Sequence, residues 1–253
     1  MSAPPDGELW PPMPADWTAA SRDELHLVRL SLADTGPVIP AEIPELTPDE
    51  VRRAERYLVE RPRRQFALTR RAVRRLCSRC LGIAPRDVAF EFTQFGKPTV
   101  AAAQNPDGLA FNVSHSGEWA VIALGWRRTL GVDIETVDHR TDFHGLAKRF
   151  FSPSEQQQLF ALPEALQQAG FYRVWTGKEA YLKATGLGMS FPLGDFTVAA
   201  DPRQPPRLLE VASQPQEPAR WTAAAFTPAR DVFGTLLWDH GPATIHHWTW
   251  SSE

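Results

Sequence analysis

Four short strand-like segments lie between residues 87 and 136, flanked on both sides by helix-length periodic stretches. This order constrains the fold more than any other feature of the 253-residue chain. The segments run Val88 to Phe92, Leu109 to Val113, Trp119 to Leu124 and Leu130 to Glu135. Ahead of them, Leu25 to Leu32 alternates like a strand, and Thr47-Pro48-Asp49-Glu50 reads as a capped helix start. A second helix is predicted from Pro62 to Gly82, with Phe66, Val73, Leu76, Cys77 and Cys80 as its apolar stripe. Downstream, Ser152 and Glu155 form a capping-box pattern, and Pro163 to Thr185 is the longest predicted helix, stopped by Gly186. Short strands follow at 196–199, 207–211, 221–226, 232–238 and 244–250. The order strand, helices, strands, helices, strands predicts an α+β protein. We expect a Pro-rich arm over 1–22 and two α+β halves, 23–129 and 130–253.

Charge narrows the functional classes. Residues 52–86 hold twelve arginines against Glu55 and Glu60, a local charge of +10, while the whole chain carries −3. A basic patch on an otherwise acidic protein points to an anionic partner: phosphate, nucleic acid or an acidic protein surface. No apolar run approaches the roughly 18–20 residues of a membrane span. The first residues lack a basic stretch followed by an apolar one, so no signal peptide is expected. Cys77 and Cys80 cannot build a disulfide framework and have no second pair to complete a zinc site, which suits a reduced cytoplasm.

Three constellations carry chemistry. In Gly131-Val132-Asp133-Ile134-Glu135, strand alternation sends Asp133 and Glu135 to one face. Two like charges that close call for a cation between them, such as Mg²⁺ completed by water and substrate phosphates, unless the strand edge is simply solvated. On the long helix, Trp175, Glu179 and Lys183 share a face. Glu179 and Lys183 are then either a helix-stabilising pair or a third acid, or base, beside a phosphate-binding lysine. Ser114-His115-Ser116-Gly117 reads as a polar turn able to donate to an anion. Adjacent Ser114 and His115 do not suit a nucleophile–base pair, and there is no G-x-S-x-G elbow. Lys97, one of four lysines, sits in the turn Phe95-Gly96-Lys97-Pro98.

These segments, with Phe150-Phe151-Ser152 and Trp175-Thr176-Gly177-Lys178-Glu179-Ala180-Tyr181-Leu182-Lys183, resemble in order and spacing the Sfp-type 4′-phosphopantetheinyl transferases. The resemblance covers roughly residues 60–200. It implies two similar-sized, pseudo-symmetric, sandwich-like α/β halves in one monomer, with the active site in the cleft between them. It implies transfer of the phosphopantetheine arm of coenzyme A to a serine of an apo acyl or peptidyl carrier protein, with release of adenosine 3′,5′-bisphosphate. Asp133, Glu135 and Glu179 are then the Mg²⁺ ligands, with Asp133, Glu179 and Lys183 catalytic. Lys183 would lie by the diphosphate, and Ser114, His115, Lys97, Arg64 and Arg71 would contact coenzyme A. No nucleic acid or membrane partner is expected. The competing class is a nucleic-acid-binding module built on the Arg-rich helix. The negative total charge and the lack of interleaved aromatics argue against it.

Overall fold

The computed structural model describes residues 10–19, 21–33, 36–188 and 191–251. The first nine residues of the expected arm, and residue 20, lie outside the described set. Its elements in chain order are β1 (Glu24–Ser31), α1 (Pro48–Glu55), α2 (Glu60–Leu81), β2 (Phe90–Phe92), β3 (Pro98–Val100), β4 (Leu109–Ser116), β5 (Trp119–Trp126), β6 (Leu130–Thr136), α3 (Phe143–Phe150), α4 (Pro153–Ala161), α5 (Glu164–Thr185), β7 (Phe196–Val198), β8 (Leu208–Val211), β9 (Thr222–Ala229), β10 (Val232–Trp238) and β11 (Thr244–Thr249).

Local chemistry accounts for the helix ends. Thr47 and Glu50 close a capping box ahead of α1, and Ser152 and Glu155 do the same ahead of α4. Gly82 and Gly186 end α2 and α5 in the left-handed conformation. No helix among the described residues is long and apolar enough to cross a membrane.

Two sheets form the frame. The first has the order β11-β1-β5-β4, the second β6-β10-β9. One face of the first sheet (Val28, Leu30, Phe111, Ile122) packs on the apolar stripe of α2 (Val73, Leu76, Cys77). Its other face (Leu25, Leu27, Val121, Ala123) packs on Val132, Ile134 and Leu236 of the second sheet. Helix α5 covers the far side of the second sheet, where a Cβ on Gly131 would overlap the Ala180 carbonyl and stand 2.5 Å from the Ala184 nitrogen. The protein is therefore an α+β fold of two halves, stacked as helix, sheet, sheet, helix.

Chain order and sheet membership part at one element. Strand β11, near the end of the chain, pairs in parallel with β1, from Glu24 opposite Thr244 to Arg29 opposite Thr249. Trp10 and Trp17 are buried against the body, and Met13 N–H donates to the Thr249 carbonyl.

Candidate active site

The edges of the two sheets meet at β4 and β6, and the chemistry-bearing residues gather along that seam. Asp133 is buried, turned away from Val132 and Ile134 and toward α5. Its Oδ1 accepts hydrogen bonds from Ser114 Oγ at 2.8 Å and from Lys183 Nζ at 2.7 Å. The Lys183 ammonium also donates to Ser114 Oγ, at 2.9 Å. Two residues along, Ser116 Oγ donates to Glu135 Oε2 at 2.8 Å. Asp133 Oδ2 is buried with no hydrogen-bond partner.

Glu179 lies one turn before Lys183 on α5, half-buried and facing the same groove. Burial, then the neighbouring Asp133 charge, raise the Glu135 and Glu179 carboxyls above the ordinary carboxylate range. Burial also raises Asp133, against the opposing pull of the Lys183 ammonium. Three acids of raised proton affinity around one ammonium mark a place short of positive charge.

The Ser114-His115-Ser116 segment is not the turn that the sequence suggests. Strand β4 continues through Ser116, with Ser114 opposite Val121 and His115 opposite Ala120, and the turn falls on Gly117 and Glu118. Alternation therefore separates the two side chains. Ser114 points into the acid cluster, whereas His115 lines a cavity of about 290 Å³ with Arg53, Tyr57, Phe66, Arg70 and Phe111. Desolvation by the cavity walls, then the Lys183 charge, hold the His115 imidazole below its ordinary range.

Lys97 reaches from the β2–β3 hairpin across the seam. Its Nζ donates to the carbonyls of Leu130 at 3.2 Å and Ala184 at 3.1 Å, tying the hairpin to the start of β6 and the end of α5. Burial pushes its pKa down to about 8. It lines the same groove as Glu179 and Lys183, with one ammonium hydrogen left for another acceptor.

Arg64 and Arg71 are not brought to His115. They line a separate cavity with Gly36, Leu68 and Trp250, because the face of α2 that holds positions 64, 68 and 71 turns toward Leu30, Ser31, Ala33 and Gly36 to Val38. Arg64 is buried and donates to the Gly36 carbonyl; Arg71 pairs with Glu45 at 3.4 Å. The arginines beside His115 are Arg53 and Arg70, which helical spacing alone could not single out. Lys178, next to Glu179 in sequence, faces away and is buried against Glu155 at 2.8 Å.

Comparison with known proteins decides the family. The model of the 4′-phosphopantetheinyl transferase superfamily matches residues 129–234, and that of the 4′-phosphopantetheinyl transferase N-terminal region matches residues 40–126. The 4′-phosphopantetheinyl transferase HetI of Nostoc sp. is 38% identical over 199 residues, which is 79% of this chain and 83% of that protein. The chain belongs to the Sfp-type 4′-phosphopantetheinyl transferases. Sfp of Bacillus subtilis is 32% identical over 153 residues, 60% of this chain and 66% of Sfp. A 4′-phosphopantetheinyl transferase of Bacillus pumilus is 35% identical over 144 residues, 57% of this chain and 59% of its own. As a member of this family the protein is an enzyme that phosphopantetheinylates carrier proteins, with coenzyme A as the donor. The seam between the two matched regions, at residues 126–129, falls just ahead of β6.

Proposed function

We propose that the seam is the transfer site, with Asp133, Glu135 and Glu179 as the acids that hold Mg²⁺ and Glu179 also as the base. The observation that carries this reading is the buried, unpartnered Asp133 Oδ2 beside two further acids of raised proton affinity. Among the described residues, no three His, Cys, Asp or Glu side chains are grouped tightly enough to hold an ion alone. Mg²⁺ held there would therefore draw part of its shell from water and substrate phosphates. When bound, it would neutralise charge on the diphosphate.

The chain's own groups supply the rest. Glu179 takes the proton of the carrier's serine hydroxyl, directly or through water, and the raised proton affinity of its carboxyl suits a base. The serine oxygen forms a bond to the β-phosphorus of coenzyme A as the bond from that phosphorus to the bridging oxygen breaks. Adenosine 3′,5′-bisphosphate departs. Lys183 stabilises the phosphate that leaves, and Lys97 has one donor free for the diphosphate. His115 binds the 3′-phosphate, with Arg53 and Arg70 beside it in the same cavity. Ser114 acts on the nucleotide side chiefly through Lys183 and Asp133. Arg64 and Arg71, in their separate cavity, are given no part in the transfer step. Beyond Glu179, an apolar groove of Phe150, Trp175, Leu182 and Phe191 suits the pantetheine arm.

The arm at 1–22 and the halves at 23–129 and 130–253 are read as the units of the chain, with β11 of the second completing the sheet of the first. A seam closed between two halves of the same chain supports a monomer. Two free cysteines support a cytoplasmic location. The Arg-rich helix supports this reading over a nucleic-acid module, since Arg70 and Arg74 pair with Glu50, and Arg71 and Arg75 with Glu45.

Mass spectrometry of an apo carrier protein incubated with the enzyme, coenzyme A and Mg²⁺ tests the proposal. The expected result is a gain of the phosphopantetheine mass, lost with chelator and lost in folded Asp133→Ala and Glu179→Gln variants. Full transfer by either variant removes that residue from the mechanism.

A further inference from the structure

Strands β4 and β6 are both sheet edges, and exposed edges carry rows of unpaired backbone groups. Here the amides of the row on β6 are satisfied by side chains. Val132 N–H donates to Asn112 Oδ1 at 2.8 Å, Ile134 N–H to Ser114 Oγ at 3.2 Å, and Thr136 N–H to Ser116 Oγ at 3.0 Å. The three pairs advance together by two residues, at a constant sequence separation of 20, so the strands run parallel and in fixed register. Backbone pairing occupies the opposite edge of each strand, with β5 for β4 and β10 for β6.

The residue types match a double task. A serine hydroxyl has one hydrogen to donate and two lone pairs to accept. Ser114 accepts from the Ile134 amide and donates to the Asp133 carboxylate; Ser116 accepts from the Thr136 amide and donates to the Glu135 carboxylate. At the first rung the residue before Val132 is Gly131, which has no carboxylate to orient, and there the acceptor is an asparagine. The turn that follows is held against the same strand. Gly117 has φ +60°, and a Cβ there would stand 2.5 Å from Thr136 Oγ1.

We propose that Asn112, Ser114 and Ser116 form a side-chain ladder that locks β6 to β4, and that Ser116 is a positioning residue for Glu135. A slip of β6 by one residue would send Asp133 and Glu135 to the face now held by Val132 and Ile134. The ladder opposes that slip at three points, and each serine fixes one acid at the same time. The claim about Glu135 rests on the reading of Asp133 and Glu135 as cation-binding acids; the ladder itself does not.

The test uses the full chain with Ser116→Ala and Ser116→Thr, threonine being a hydroxyl residue well suited to a strand. In the metal-free protein, hydrogen exchange at the Thr136 amide should quicken about tenfold in Ser116→Ala, the loss of one hydrogen bond, and return toward the wild-type rate in Ser116→Thr. In transfer assays, the Mg²⁺ concentration for half-maximal rate should rise several-fold in Ser116→Ala and be restored by threonine, with kcat at saturating Mg²⁺ little changed. Unchanged exchange at Thr136 overturns the ladder; an unchanged Mg²⁺ requirement overturns the positioning role. Wild-type transfer without any divalent ion would instead defeat the metal reading, and the exchange arm would still decide the ladder.

Discussion

At the scale of single residues, the site separates two roles that adjacent side chains on one strand can play. Ser114 enters the acid cluster, and His115 enters the cavity on the other side of β4. His115→Ala should therefore raise the KM for coenzyme A about tenfold, the scale of one charge-assisted hydrogen bond, with a much smaller effect on dephospho-coenzyme A, which lacks the 3′-phosphate. Equal effects on both donors would remove the phosphate contact. A different residue contributes to acid sensitivity. His26 is buried under Trp17, stacks on His246 at 5.2 Å, and accepts from Trp248 Nε1 on Nδ1 at 3.2 Å. Glu24, at 3.8 Å, is too far to bond its Nε2. Burial, then His246, lower its pKa to about 4. Because the folded state resists protonation there, the unfolded chain binds more protons between about pH 6.5 and pH 4, and stability falls as the pH drops through that window. The His26 contribution is on the order of 3 kcal/mol. Urea unfolding at pH 7 and pH 4.5 should show a smaller acid loss in His26→Gln than in the wild type; equal losses would contradict it. Sequence shows the acids because strand alternation and helical spacing put them on shared faces, and His115 because it lies in a polar run beside an apolar strand. It does not show which faces of α1 and α2 turn to the site, so Arg53 and Arg70 have to be read from packing.

At the scale of elements, the helices and most strands are legible because each carries its own signal: a capping box, a glycine stop, an alternating run. The missing part of β4 has a physical cause. Ser114, His115 and Ser116 look like a polar turn, but the two serines are polar because their partners across the seam are amides and carboxylates, and His115 lines the cavity on the other side. β3 is absent from the sequence reading for a related reason, being three residues long and beginning with proline. The close packing of α5 on β6 is also local in sequence and tertiary in consequence. Gly131 lets the helix approach until no Cβ fits, which brings Lys183 within 2.7 Å of Asp133. Gly131→Ala should destabilise the protein by roughly 1–3 kcal/mol or more. It should also weaken transfer in the fraction that remains folded, because the helix has to move outward. Chemical denaturation and single-turnover transfer check the two parts, and an alanine variant of wild-type stability would show that the seam is looser than its packing implies.

At the scale of the whole molecule, contacts distant in sequence tie the two halves together. The β4–β6 ladder joins the sheet edges, Lys97 bonds the hairpin of one half to β6 and α5 of the other, and β11 returns to pair with β1. A core shared by both sheets lies between them, from Leu25 and Val121 to Ile134 and Leu236. The parallel pairing of β1 with β11 has no signature in the sequence, since either strand alone reads as an ordinary edge, and only closure of the whole chain selects it. This interlocking has a thermodynamic consequence that family membership alone does not supply. Two halves joined only by a linker would melt separately, whereas halves that share a core and exchange a strand should unfold together. Calorimetry is expected to give one transition with calorimetric and van't Hoff enthalpies in agreement. A chain ending at residue 243, which lacks β11, should lose much of that stability although it retains every residue assigned to catalysis. Two resolved transitions in the full chain, or a truncated chain as stable as the full one, would mean that the seam is a contact between independent domains rather than part of a single core.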